Sequence, residues 1–190
     1  VGTDPVLIGI EFKGKFSVKH DYPKKSFSFE FWERADDTGD IDDVKRPLLG
    51  MPEREDWWLR GPYGDPSLVR DRFALEAWRA TRAGGEWAPA SEFVELVING
   101  SYDGVYLLVE AVKRKPLGIG KAKDEVPAEE TGFLVEREGQ GGCFGKWELK
   151  YPKCDDDKMT PERLAHIRGR LDRVTELADQ ALAYAKGENE

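Results

Sequence analysis

The sequence predicts an α+β fold in which a twisted, mainly antiparallel sheet is covered by two main helices. Three observations predict it: short runs rich in β-branched and aromatic residues, an Asn-Gly hairpin signal between two such runs, and two segments with apolar residues every three or four positions. Of the 190 residues, 39% are hydrophobic, with 6 Trp, 6 Tyr and 9 Phe. That supply of large side chains can fill a core, and it argues against disorder across the chain.

The first third of the chain predicts two strands, Val6–Phe12 and Ser26–Phe31. In the second strand aromatic residues alternate strictly and therefore share one face: Phe27, Phe29 and Phe31. The basic connection from Lys13 to Lys25 includes the adjacent lysines Lys24 and Lys25. Ammonium groups and backbone amides at a strand entry suit a polyphosphate. Paired lysines there also deter edge-to-edge aggregation, so the bland alternative stays open.

The acidic segment from Arg34 to Arg46 predicts a solvated loop. Its spaced carboxylates resemble a calcium-binding loop in part. With Asp36 at loop position one, however, Ile41 and Pro47 fall where such a loop has its Gly and its bidentate Glu. We therefore expect no calcium site there.

A strand over Asp56–Arg60 and a helix over Pro66–Ala83 follow. Asp65 suits the N-cap position, and a proline in the first turn has no N–H to lose there. Gly84 and Gly85 end the helical pattern.

The clearest local prediction is a β-hairpin. The strands Phe93–Ile98 and Val105–Glu110 flank the connection Asn99–Gly104. Asn-Gly favours the positive φ angles that a tight hairpin turn needs.

The last third predicts a mobile connection, a strand pair and a long helix. Mixed Lys, Gly, Pro and Glu over Lys113–Glu130 indicate the connection. Gly132–Glu136 and Lys146–Tyr151 read as paired strands, and an apolar stripe at helical spacing runs through Pro161–Lys186.

Composition excludes several classes of function. With 29 Lys+Arg against 37 Asp+Glu the formal net charge is −8, which argues against a general nucleic-acid binder. No apolar run approaches the ~18 residues of a membrane span. The chain lacks the motifs of nucleophilic triads, zinc hydrolases, P-loops and dinucleotide-binding folds. Cys143 and Cys154 are either separate thiols or one bridge, and a bridge would indicate an oxidising compartment.

Four blocks of the sequence, in order and spacing, resemble the CotH (spore-coat protein H) kinase family, and the last is the most specific. They are Lys24–Phe27, Leu48–Pro52 with Trp57–Leu59, Ser67–Ala74 and Ile98–Glu110. The resemblance extends from about Lys24 through the closing helix. It implies a fold like the amino-terminal lobe of an atypical protein kinase. It also implies use of ATP with a divalent metal such as Mg²⁺ to phosphorylate protein substrates.

In such a lobe a strand lysine neutralises the nucleotide phosphates and an acidic residue on the neighbouring helix holds it. On this resemblance Lys25 is the predicted lysine and Glu76 its partner, with Arg72 facing similarly one turn earlier. Glu110, at the end of the hairpin strand, is a further candidate for the nucleotide site. The alternative for Arg72 and Glu76 is an ordinary surface ion pair at i, i+4 spacing.

The resemblance also marks what the chain lacks. Lys13–Ser17 stands where the family usually has an Arg-Gly-Ser-rich stretch, and the family's catalytic Asp, metal-binding Asn and Trp-Asp-x-Asp-like segment have no counterpart. Residues 1–190 are therefore predicted to be a single nucleotide-binding portion without catalytic or metal-ligating residues. It would be an enzyme only when the missing part is supplied. The alternative is a non-catalytic surface, adhesion or protein-binding module. Secretion or cell-surface location is expected from the family's habits and the non-Met start.

Overall fold

The architecture is taken from a computed structural model, which describes residues 5–14, 18–35, 38–81, 87–137 and 144–186. The chain divides into two compact units, Val1–Val112 and Lys113–Glu190. The first unit contains a six-stranded sheet and a helix over Arg70–Thr81, and the second contains a two-stranded sheet and the long helix. The mainly antiparallel α+β prediction is confirmed.

The sheet of the first unit has the strand order β1-β2-β4-β6-β5, and β3 pairs with β2 beside this path. All of its strand pairs are antiparallel. The strands are β1 (Leu7–Lys13), β2 (Ser26–Arg34), β3 (Ile41–Asp43), β4 (Asp56–Arg60), β5 (Ser91–Ile98) and β6 (Ser101–Glu110), and helix α1 is Arg70–Thr81.

One face of this sheet carries the core of the first unit. Phe29 lies opposite Trp57, and Leu59 lies opposite Leu108, so the alternating residues of neighbouring strands share a face. The buried cluster consists of Phe29, Phe31, Met51, Trp57, Leu59, Tyr106 and Leu108. The strict alternation of aromatic residues in β2 thus predicted the face correctly.

The acidic segment differs from its prediction. Within the expected loop, β3 pairs with the last three residues of β2, with Asp43 opposite Trp32. All three residues of β3 are exposed, so the segment is solvated as expected while its backbone completes a short ladder. Asp36 and Asp37 lie outside the described residues.

Helix α1 begins at Arg70, four residues later than Pro66. The Asp65 carboxylate accepts hydrogen bonds from the Ser67 backbone N–H at 3.1 Å and from its hydroxyl at 2.7 Å, which closes a turn before the helix. Leu68 has a φ of 60°, a conformation that ends any continuous helix. Asp65 still caps, because it accepts the Arg70 N–H at 3.0 Å.

The β5–β6 hairpin is confirmed, with a shorter turn than the sequence indicated. Asn99 and Gly100 have φ angles of 51° and 80°, as a two-residue turn of the primed type requires. Leu96 pairs with Gly104 whereas Val97 pairs with Tyr102, so a β-bulge leaves Asp103 as the extra residue of β6.

The second unit pairs β7 (Leu134–Arg137) with β8 (Trp147–Tyr151) and packs them on helix α2 (Pro161–Lys186). Its buried cluster is Phe144, Leu149, Ile167 and Leu171. The predicted bounds of α2 are confirmed. Cys154 packs against this cluster and is disulfide-bonded, while Cys143 lies outside the described residues.

The segment expected to be a mobile connection is tied down by hydrogen bonds. The Ala122 N–H donates to the Tyr151 hydroxyl at 2.6 Å. The buried Arg163 side chain donates to the carbonyl oxygens of Lys123 and Val126, the latter at 2.7 Å. A short 3-10 helix over Ala128–Glu130 follows. Composition alone does not reveal these hydrogen bonds, because the partners are distant in the sequence.

Candidate functional site

The adjacent residues Lys24 and Lys25 lie beside Gly61, at the end of β4. A Cβ atom on Gly61 would lie 2.7 Å from the Lys25 carbonyl oxygen and 3.0 Å from Cγ of Lys24. The Gly61 N–H donates to the Ser26 hydroxyl at 3.0 Å. Only a glycine allows this close approach, and it brings both lysines of the pair to the end of β4.

The Lys24 side chain contacts strand β6 at this end of the sheet. Its Nζ donates to the Val105 carbonyl oxygen at 2.6 Å and lies 4.4 Å from the centroid of the Tyr106 ring. The Tyr106 hydroxyl in turn donates to the Asp103 carboxylate at the bulge. Burial, and then the negative charge of Asp103, raise the pKa of Tyr106. The tyrosine therefore stays protonated and able to donate at neutral pH.

Lys25, the predicted phosphate-contacting lysine, pairs with Asp21 in the connection between β1 and β2. The distance from Nζ to Oδ1 is 2.7 Å, and the hydrogen bond from Lys25 lowers the pKa of Asp21. The Asp21 side chain is 97% exposed against 20% for Lys25. The lysine is thus partly sheltered by the sheet, while its counter-ion lies in solvent and can be displaced by another anion.

A third cation, Arg60, ends β4 directly before Gly61. Its Nε lies 3.0 Å from Oδ2 of Asp71 in the first turn of α1. This ion pair links a strand end to the following helix. Sequence reasoning missed it, although a basic residue at the end of β4 and an acidic one near the start of α1 were visible signals.

Glu110 is a buried anchor at the other end of β4. Only 1% of the residue is exposed. Its Oε2 accepts the Ala90 N–H at 2.5 Å, and its Oε1 lies 2.8 Å from Nε of Arg54, an ion pair by distance whose angle is not that of a hydrogen bond. Because Glu110 pairs with Trp57, three residues from Arg60, it lies about 10 Å along the strand from the cations.

Arg72 and Glu76 on α1 have separate partners. Arg72 forms two hydrogen bonds to Glu92 of β5, at 2.8 and 3.2 Å, and these bonds raise the pKa of Arg72. Glu76 pairs with Arg79 at 2.6 Å. The alternative of a surface ion pair between Arg72 and Glu76 is therefore not what the structure has, and the predicted partner of Lys25, Glu76, is paired with Arg79. Arg72 instead fastens the helix to the sheet, which matters because α1 has no buried residue.

The Lys24, Lys25 and Arg60 side chains at this end of the sheet are positively charged. Lysine and arginine side chains with exposed or weakly shielded counter-ions are suited to phosphate oxygens. Within the described ranges, no three His, Cys, Asp or Glu side chains are grouped so that they could hold a metal ion. The same ranges contain no helix with the length and apolar character needed to cross a bilayer.

Comparisons with known proteins identify the family of the chain. Residues 10–188 match the family described as CotH kinase protein. The inner spore coat protein H of Bacillus subtilis (strain 168) is 29% identical over 117 residues, which are 62% of this chain and 27% of that protein. The chain therefore spans about a quarter of the length of this relative, with which it shares distant homology.

Proposed function

Because the chain belongs to the CotH kinase family, we propose that it is the nucleotide-binding portion of an atypical protein kinase that transfers phosphate from ATP to Ser/Thr side chains. The observation that carries the proposal is the placement of the adjacent lysines Lys24 and Lys25 beside Gly61, with Arg60 as the preceding residue at the end of β4. These cations neutralise phosphate charge, which is most of what a protein contributes to phosphoryl transfer besides positioning. The acceptor-orienting and metal-binding groups would come from the remainder of the enzyme.

In this proposal Lys25 contacts the phosphates and the other predicted residues support the site. An incoming phosphate replaces Asp21, whose exposed carboxylate is a weak competitor. Glu110 fixes the end of β6 and Arg72 fixes α1 on β5. Glu76 is paired with Arg79, so its proposed role toward Lys25 requires an exchange of partner.

Secretion or cell-surface location belongs to the same proposal. The disulfide-bonded Cys154 suits an oxidising compartment. The name of the Bacillus subtilis relative places that protein in a spore coat.

The test is a calorimetric titration of the 190-residue chain with Mg-ATP, comparing wild type with Lys25→Ala. We expect binding to be at least about tenfold weaker in the variant, since one charge-assisted hydrogen bond contributes about 1.5–3 kcal/mol and each 1.4 kcal/mol is a factor of ten. Lys45→Ala is the matched control, because Lys45 is an exposed lysine paired with Glu55 at 3.6 Å elsewhere in the same unit. Equal affinity of wild type and Lys25→Ala would remove Lys25 from the site.

Absence of Mg-ATP binding by the wild-type chain would contradict the proposal and favour the alternative, a non-catalytic protein-binding module. In the full-length parent the same substitution should abolish ATP-dependent labelling of the protein substrate.

A further inference from the structure

A row of polar side chains crosses three strands on the sheet face opposite the aromatic core. Lys13 of β1 lies directly opposite Ser26 of β2. The pairing of Phe27 with Leu59 places the preceding Ser26 opposite Arg60 of β4. Directly opposed residues share a face, so Lys13, Ser26 and Arg60 form one row with a hydroxyl between two cations.

Each of the two cations in this row has a contact that positions it. Lys13 Nζ lies 4.1 Å from the centroid of the Trp58 ring, on the strand that also carries Arg60. Asp71 holds Arg60 through Nε. Among the residues that the structure describes, Asp71 is the ion-pair partner of Arg60, and 49% of the Arg60 side chain is exposed. The ion pair thus orients the guanidinium while part of the side chain remains open to solvent.

The Arg60–Asp71 ion pair connects two elements that are consecutive in the chain. Helix α1 directly follows β4, and the pair joins the end of that strand to the first turn of the helix. Kinase sites use a strand cation held by a helix carboxylate to contact nucleotide phosphates. Here the cation is an arginine, whose planar fork can bind a carboxylate and a phosphate at once.

We infer that Arg60 contacts the polyphosphate of the bound nucleoside triphosphate, beside Lys13 and Ser26, and that Asp71 is its positioning residue. The inference rests on the proposed nucleotide-binding function and adds residues to that site. The rival reading is a surface ion pair that only fastens α1 to the sheet.

Titrations of the folded 190-residue chain separate the two readings, with inorganic tripolyphosphate, Mg-ATP and adenosine as probes. In Arg60→Gln we expect about tenfold weaker binding of tripolyphosphate and of Mg-ATP, with adenosine binding unchanged. Arg46→Gln is the matched control, since Arg46 is a similarly exposed arginine paired with Glu33 at 2.6 Å toward the other end of β2. It should bind all three probes as the wild type does.

A second pair of variants tests positioning apart from charge. Asp71→Asn keeps Arg60 but releases its Nε, so we expect about threefold weaker tripolyphosphate binding, and Asp71→Glu should restore it. Far-UV circular dichroism of each variant checks that α1 and the sheet are retained. If Arg60→Gln does not fold, Arg60→Lys replaces it and should weaken tripolyphosphate binding by losing the fork geometry.

The outcomes distinguish this inference from the proposed function. If the wild type and Arg60→Gln bind Mg-ATP equally well, the role of Arg60 is overturned. The proposed nucleotide-binding function would still stand. Wild type that binds neither phosphate probe would overturn the proposed function together with this extension of it.

Discussion

The two units of the molecule use buried charge and polar groups in different ways. The first unit buries a broad aromatic and aliphatic cluster on one sheet face and leaves its cations at a strand end with exposed surface. The second unit has a smaller cluster and adds a disulfide at Cys154 and the buried guanidinium of Arg163. Small cores commonly need such additional links. Buried polar links thus add to the small core of the second unit, whereas Arg60 of the first unit keeps exposed surface.

Arg163 and Arg60 make this contrast concrete. Arg163 is 2% exposed and its guanidinium donates to three backbone carbonyl oxygens, those of Lys158, Lys123 and Val126. Arg60 is half exposed and pairs with the Asp71 carboxylate, its Nε lying 3.0 Å from Oδ2. Substitutions of the first should change stability, and substitutions of the second should change binding.

The largest stability effect is expected for Trp57→Ala in the core of the first unit. Trp57 is 0% exposed and belongs to the buried aromatic cluster. Removing a buried tryptophan side chain costs about 3–5 kcal/mol, which urea denaturation followed by circular dichroism measures. Trp78→Ala on α1, where the residue is 41% exposed, is the control and should cost less than about 1 kcal/mol. Equal costs would contradict the core described for the first unit.

Arg163→Ala should have the next largest effect and should act on the second unit. Its removal leaves three carbonyl oxygens without their donor, at a cost of roughly 1–3 kcal/mol for buried polar groups. We expect lower stability and faster amide exchange between Lys123 and Glu130, measured by hydrogen exchange and mass spectrometry. Arg173→Ala, an exposed arginine paired with Glu176 on the same helix, is the control. Unchanged exchange in Arg163→Ala would mean that the segment is held by other contacts.

The smallest expected effect is a gain in stability for Glu30→Gln. Glu30 lies directly opposite Asp56, and burial, followed by the charge of Asp56, raises the pKa of Glu30. The folded state therefore holds the proton more tightly, so this contribution to stability is lost as pH rises from the unfolded pKa of about 4.3 to the raised value.

Relieving the repulsion between two facing carboxylates at pH 7 should stabilise the first unit by about 0.5 kcal/mol. The difference between wild type and Glu30→Gln should shrink below pH 4, and urea denaturation at pH 7 and pH 3.5 measures it. A variant less stable than wild type at pH 7 would show that Glu30 is held by favourable contacts instead.

The sheet, the long helix and the hairpin could be predicted because each rests on local pattern. Alternation in Ser26–Phe31, the stripe in Pro161–Lys186 and the turn at Asn99–Gly100 are short-range signals. The start of α1 could not be predicted from local pattern, since Asp65 closes a turn before it caps the helix. The ordering of residues 113–130 was also hidden, because Tyr151 and Arg163 are distant in sequence.

The candidate site was predictable in part. The basic connection and Lys25 were visible in the sequence as positive charge near the start of a strand. The family resemblance then implied that Lys25 contacts nucleotide phosphates. The close approach at Gly61 and the row across β1, β2 and β4 depend on strand order and register. Local patterns do not determine which non-consecutive strands become neighbours, so the position of Arg60 in this row could not be predicted from the sequence.

The ammonium group of Lys13 over the Trp58 ring has an optical consequence. An indole senses a cation resting on its face, and an anion that draws the ammonium away alters the field at the ring. Intrinsic fluorescence should therefore change when a polyphosphate reaches the row beside Arg60, and the change should vanish in Trp58→Phe. The molecule would then carry its own reporter, suited to screening ligands without a label.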